Sequence, residues 1–96
     1  MIRIIFKGLD ESVLAKEAVL NHLESAQLRF PELERHKVDV TLSMDRSQGD
    51  LGPDLFKVKL AVSGKKYKGL TFEKSAMSLY SALSEVSNHM LERLPR

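Results

Sequence analysis

Six lysines and a single acid, Glu73, fall between Lys57 and Lys74. Three of them crowd around an aromatic residue as Lys65-Lys66-Tyr67-Lys68. Ammonium groups on flexible stems suit phosphate contact, because they tolerate imprecise geometry. Each phosphate they neutralise releases condensed counterions, so such binding weakens steeply as salt rises. Tyr67 has two readings: a platform for an exposed base, or a cross-strand side chain that fills the sheet. The lysines have a structural reading as well, since exposed sheet faces and edges use them to discourage aggregation.

The balance reverses near the start of the chain. Between Asp10 and Glu24, four carboxylates (Asp10, Glu11, Glu17, Glu24) face Lys16 alone. Net charge is only +2, so the distribution carries the information: one part of the molecule is suited to meet an anion.

Residues for catalysis are scarce. His22, His36 and His89 are scattered with no partner at metal-ligand spacing, and each is expected at the surface or on a helix flank. No serine occupies a G-x-S-x-G elbow. Gly49 and Gly52 fall between two strand patterns, which suits a hairpin loop rather than a phosphate cradle. Glu32 and Glu34 stand beside Arg35 and Lys37 and read as solvated. The chain has no cysteine, hence no disulfide, thiolate nucleophile or Cys-based metal site. The expectation is a binding protein, not an enzyme, with no cofactor, no metal and no small-molecule substrate.

The elements that must position the lysines follow from periodicity. Ile2–Phe6 is short and β-branched and reads as a strand. Asp10 or Ser12 then caps a helix whose apolar stripe runs through Val13, Val19, Leu20, Leu23, Ala26 and Phe30, with Pro31 limiting it. Val38, Val40, Leu42 and Met44 alternate with polar residues on a second strand. Arg46–Asp54 is a loop, dense in glycine and proline. Phe56, Val58, Leu60 and Val62 alternate with Lys57, Lys59 and Ala61 on a third strand. Ser63-Gly64 begins a tight turn into a fourth strand, expected at Lys66–Phe72 with its register open. Leu79, Leu83, Val86, Met90 and Leu94 mark the last helix, flanked by Ala76, Tyr80 and Ala82. The order is β-α-β-β-β-α, an α+β fold. One four-stranded sheet with both helices on the same face buries every apolar stripe at once.

At 96 residues the chain is expected to form a single domain, 1–96, with one modest core. Its apolar runs are far shorter than the roughly 20 residues of a membrane span. The opening "MIRIIFKGLDES" lacks a signal-peptide pattern. No membrane association and a cytoplasmic location are expected.

The element order, the opening "IRIIFKGLD" and the helix "SLYSALSEVSNHMLERL" together resemble the ribosome hibernation-promoting factor and Y-protein family. Family members open with a strand reading I-x-x-x-G-x and carry a last helix of the form D-x-Y-x-A-I. Tyr80, Ala82 and Leu83 stand at the Y-x-A-I positions, and Met90, Arg93 and Leu94 continue the pattern. Ser78 replaces the usual acid, the Arg46–Asp54 loop is long, and the first helix is acidic. The resemblance implies a short-form, ribosome-associated factor without the separate dimerising domain. It would occupy the mRNA and tRNA channel of the small ribosomal subunit and silence translation under stress without chemistry. The residues implied for rRNA are Lys57, Lys59, Lys65, Lys66, Tyr67, Lys68 and Lys74, with Arg93 on the last helix. A monomer is expected, with a homodimer pairing through an exposed strand as the alternative.

A second likeness competes. "GPDLFKVKLAVSGKKYKG" is similar to the hairpin of double-stranded RNA-binding domains through Gly52, Pro53, Phe56, Val58 and Leu60. That family's histidine is missing, and only Lys74 and Ala76 match the start of its last helix. A protein-interaction module with an acidic partner is the remaining alternative.

Overall fold

Strand β1 (Ile2–Lys7) pairs in parallel with β2 (Lys37–Asp45), setting Ile2 opposite Val38 and Phe6 opposite Leu42. The computed structural model describes residues 1–45 and 54–95. Most of the expected Arg46–Asp54 loop, including Gly49, Gly52 and Pro53, lies outside these residues, as does Arg96. Parallel neighbours need a crossover. Helix α1 (Val13–Arg29) and a 3-10 segment (Pro31–Arg35) supply it. Strands β3 (Leu55–Ser63) and β4 (Leu70–Ala76) then join in antiparallel order, and α2 (Leu79–Arg93) follows. The strands lie in the order β1-β2-β3-β4. This is the expected β-α-β-β-β-α fold.

Alternation along the strands divides the sheet into two faces. Val38, Val40 and Leu42 on β2, and Val58, Leu60 and Val62 on β3, are all buried under the helices. The helices meet them with Val19, Leu23 and Ala26 from α1 and with Leu83, Val86 and Met90 from α2. The other face carries Arg3, Asp39, Ala61 and Thr71 in one cross-strand row and Ile5, Thr41, Lys59 and Glu73 in the next, and has no helix over it.

Ser12 caps α1, its Oγ accepting from the Ala15 N–H at 3.2 Å. This satisfies one of the free donors at the helix start. Ser78 does the same for α2, accepting from Ser81 at 3.0 Å. The buried stripe of α1 differs from the expected one. It uses Ala15 with Val19, Leu23 and Ala26, while Val13 and Leu20 are exposed. Three-residue spacing alone does not distinguish two apolar faces on one helix, and α1 carries apolar residues on both.

The fourth strand also departs from expectation. It begins at Leu70 rather than Lys66, so residues 64–69 form an irregular loop. Gly69 turns the chain with φ +60°, a conformation that costs little only for glycine. Lys66 and Lys68 therefore belong to neither sheet face.

Candidate nucleic-acid interface

The topology gathers one end of each helix at a single end of the molecule. There α1 terminates, the 3-10 segment turns the chain, β2 begins, β3 ends and α2 finishes. Lys37 at the start of β2 is registered against Ser63 at the end of β3. Arg35, Lys65 and Lys66 line one groove with Glu32, His36 and Gly64. Arg29 and Lys66 line a neighbouring one with Phe30 and Pro31. Lys68 follows in the same loop, and Arg93 stands in the last turn of α2. The result is a basic end. Part of it has a structural reason, because Arg29 and Arg93 in last turns complement the helix dipoles.

Arg29, Arg35 and Lys37 were not among the residues implied by sequence. They lie far from the lysine run along the chain. A signal was available in the element order, because α1 must run antiparallel to β1 and so end where β2 begins.

The loop carrying Lys65, Lys66 and Lys68 is held by a buried histidine. The Tyr67 N–H donates to His36 Nε2 at 2.9 Å. On the other side of the ring, Nδ1 lies 2.8 Å from the Glu32 carbonyl. An amide N–H can only donate and a carbonyl can only accept. The ring is therefore the neutral tautomer with its proton on Nδ1. Gly64 packs directly on it: a Cβ there would lie 2.7 Å from His36 Cγ. His36 flanks a helix as the C-cap of the 3-10 segment, one of the two expected placements, but it is buried, 4% exposed, and not at the surface.

Tyr67 requires a correction too. It is 2% exposed, with its ring against His36 at 4.8 Å between centroids. Its hydroxyl donates to the Pro95 carbonyl at 3.4 Å, and Lys66 Nζ lies 5.6 Å from its ring centroid. No ring face is left for a base. Tyr67 anchors the loop beneath the lysines.

The remaining lysines are placed elsewhere. Lys57 and Lys59 stand on the open sheet face. One row across the four strands reads Lys7, Ser43, Lys57, Ser75, and the next reads Ile5, Thr41, Lys59, Glu73. Lys74 is registered against Val58, so it lies on the helix side of the sheet, beside Glu85 and Glu92 of α2. The single cationic surface expected from the sequence is thus divided among three places.

Carboxylates neutralise some of these charges. Glu32 pairs with Lys66 at 3.0 Å, and Glu73 with Lys57 at 3.4 Å. On β2, Asp39 sits between Arg3 at 3.8 Å and Lys37 at 4.0 Å. The hydrogen bond that Lys66 donates to Glu32, more than any other influence, holds Lys66 above the ordinary lysine range. Lys59, Lys65 and Lys68 have no carboxylate partner among the described residues.

Helix α1 presents the opposite character. Leu14, Glu17, Asn21, Glu24 and Leu28 recur at three- and four-residue intervals along its exposed side. A carboxylate-bearing stripe repels phosphate. Among the described residues no group of histidine and acidic side chains is arranged to hold a metal ion, and no helix is long and apolar enough to cross a membrane.

This architecture, a four-stranded mixed sheet with two helices on one face, recurs in solved structures. A ribosomal subunit interface protein from Coxiella burnetii superposes with a TM-score of 0.78 at 13% identity, over 97% of this chain and 91% of that one. The N-terminal domain of Thermus thermophilus Protein Y gives 0.66 at 16% identity, over 96% and 91%. No family model and no curated protein matches the sequence. The chain therefore has the fold shared by these two proteins. It is the fold that the resemblance to the hibernation-factor family implied.

Proposed function

We propose that this chain is a ribosome-associated factor of the hibernation type. It acts as a cytoplasmic monomer that occupies the mRNA and tRNA channel of the small subunit and silences translation without chemistry. The observation that carries this reading is the near-complete superposition on a ribosomal subunit interface protein. The basic end supplies the means. Lys65, Lys66 and Lys68, joined by Arg29, Arg35 and Arg93, meet rRNA phosphates. Lys57 and Lys59 extend the contact along the open sheet face. Lys74 takes no part, because it stands among the carboxylates of α2. The acidic stripe of α1 faces away from the RNA.

Sedimentation of the protein with purified ribosomes through a sucrose gradient tests this. Retention with the small subunit at low salt and loss at high salt is the expected result. Each phosphate contact corresponds to a roughly threefold loss of affinity for a fourfold rise in salt, so these eight side chains together give a loss on the order of 10³- to 10⁴-fold. Binding to a naked RNA duplex but not to ribosomes would move the chain to the duplex-binding class.

A further inference from the structure

We infer that His36 is a positioning residue for the cationic loop, and that protonation of its Nε2 releases the loop and weakens the grip on phosphate. The second half rests on the function proposed above; the first stands on geometry alone. The Tyr67 N–H has Nε2 as its acceptor, and this contact is buried, 31 residues distant in sequence. It ties the 64–69 loop to the segment before β2. Protonation places a hydrogen on Nε2, so two N–H groups then face each other and the bond is lost. Gly64 lies against the ring and blocks movement of the imidazole on that side. What yields is the loop, which contains Lys65, Lys66 and Lys68.

The charged groups around the ring come from every element packed against it. Glu32 and Arg35 lie on the 3-10 segment, and Lys65 and Lys66 lie on the loop. The Met1 amine donates to the His36 carbonyl at 2.9 Å, and Lys37 follows in the chain. Glu32 and Lys66 are engaged with each other. The neighbouring phenol of Tyr67 is occupied by the Pro95 carbonyl. None of these groups offers a substitute acceptor to the Tyr67 N–H except through rearrangement of the loop.

The sign separates this device from bulk charge. Acidification makes the protein more cationic, which alone would tighten binding to a polyanion. Release of the loop acts the other way.

The test follows the Tyr67 amide by NMR from about pH 7.5 down to the pH at which the His36 ring resonances report protonation. In the wild-type chain this resonance is expected to titrate together with the His36 ring. In His36→Gln, whose side-chain oxygen keeps an acceptor but takes up no proton, it should stay fixed. A wild-type Tyr67 amide that ignores pH, or one that titrates equally in His36→Gln, overturns the lock; the first of these outcomes needs no variant to fold. Retention by purified ribosomes is then compared at both pH values. Wild-type affinity should fall roughly tenfold relative to His36→Gln at the lower pH, the scale of one lost charge-assisted contact. Equal affinities there, with the loop titrating, overturn the coupling to phosphate. No ribosome binding at any pH, with the loop still titrating, rejects the proposed function and leaves the lock standing.

Discussion

Lys57 and Lys74 stand on adjacent strands but project from opposite faces of the sheet. Lys57 is registered against Ser75 on the open face, while Lys74 is registered against Val58 on the helix side. The eighteen residues of lysine-rich sequence from Lys57 to Lys74 thus do not make one surface. Single substitutions should separate the two sides. Lys68→Ala is expected to weaken ribosome retention and lower its salt slope by about one unit. Lys74→Ala should leave both within about twofold, a difference small on the scale of one phosphate contact. Titration at several salt concentrations measures both.

Glu32 is the carboxylate that limits the basic end. Its pair with Lys66 spans 3.0 Å between exposed side chains, so it contributes little to stability. Glu32→Gln should tighten retention on ribosomes by a few-fold, since a repulsive charge leaves and Lys66 is freed. Unfolding by urea should barely change at neutral pH. The alkaline limb carries the signature. Because Glu32 raises Lys66 above its ordinary value, the pair's contribution is complete below that value and disappears as pH climbs through the raised one. In Glu32→Gln that alkaline loss should shrink.

Gly64 is required by a contact rather than by backbone conformation. A Cβ there would meet the His36 ring, 2.7 Å from Cγ. Gly64→Ala should cost about 1–3 kcal/mol, the range for overpacking a tight site. Removing the ring should relieve it, so Gly64→Ala in a His36→Ala background should cost measurably less. A double-mutant cycle by chemical denaturation reads the coupling; an additive result would place the alanine elsewhere.

Two leucines mark the limits of the core. Leu60 is fully buried on β3, whereas Leu28 on α1 is 85% exposed. Leu60→Ala should lower stability by about 2–5 kcal/mol through lost burial and a cavity. Leu28→Ser should change it by less than about 0.5 kcal/mol, as surface substitutions do. Urea midpoints at constant slope decide between them.

The sheet was legible because alternation has a period of two and leaves no ambiguity once one face is apolar. Val58, Leu60 and Val62 fix Lys57 and Lys59 on the other face without further information. Helix α2 was legible for the same reason, its buried residues Leu83, Val86 and Met90 repeating at helical spacing. The loop was not. Tyr67 has strand-like chemistry, and its burial depends on His36 and Pro95, two partners remote in sequence. Arg29 and Arg35 escaped notice because they join the lysines only through the crossover that returns α1 to the start of β2. Val13 and Leu20 misled because α1 is apolar on two sides, and only packing chooses which one is buried.

The central claim is that the basic end grips the small subunit through phosphates. Its most direct test is the affinity of purified small subunits for the wild-type chain and for Lys65→Ala/Lys66→Ala/Lys68→Ala, measured at low and at fourfold higher salt. The triple variant is expected to bind far more weakly at low salt and to have a salt slope lower by roughly 2–3 units, about 0.7–0.9 for each contact removed. Equal affinity and an equal salt slope for the two proteins would contradict it.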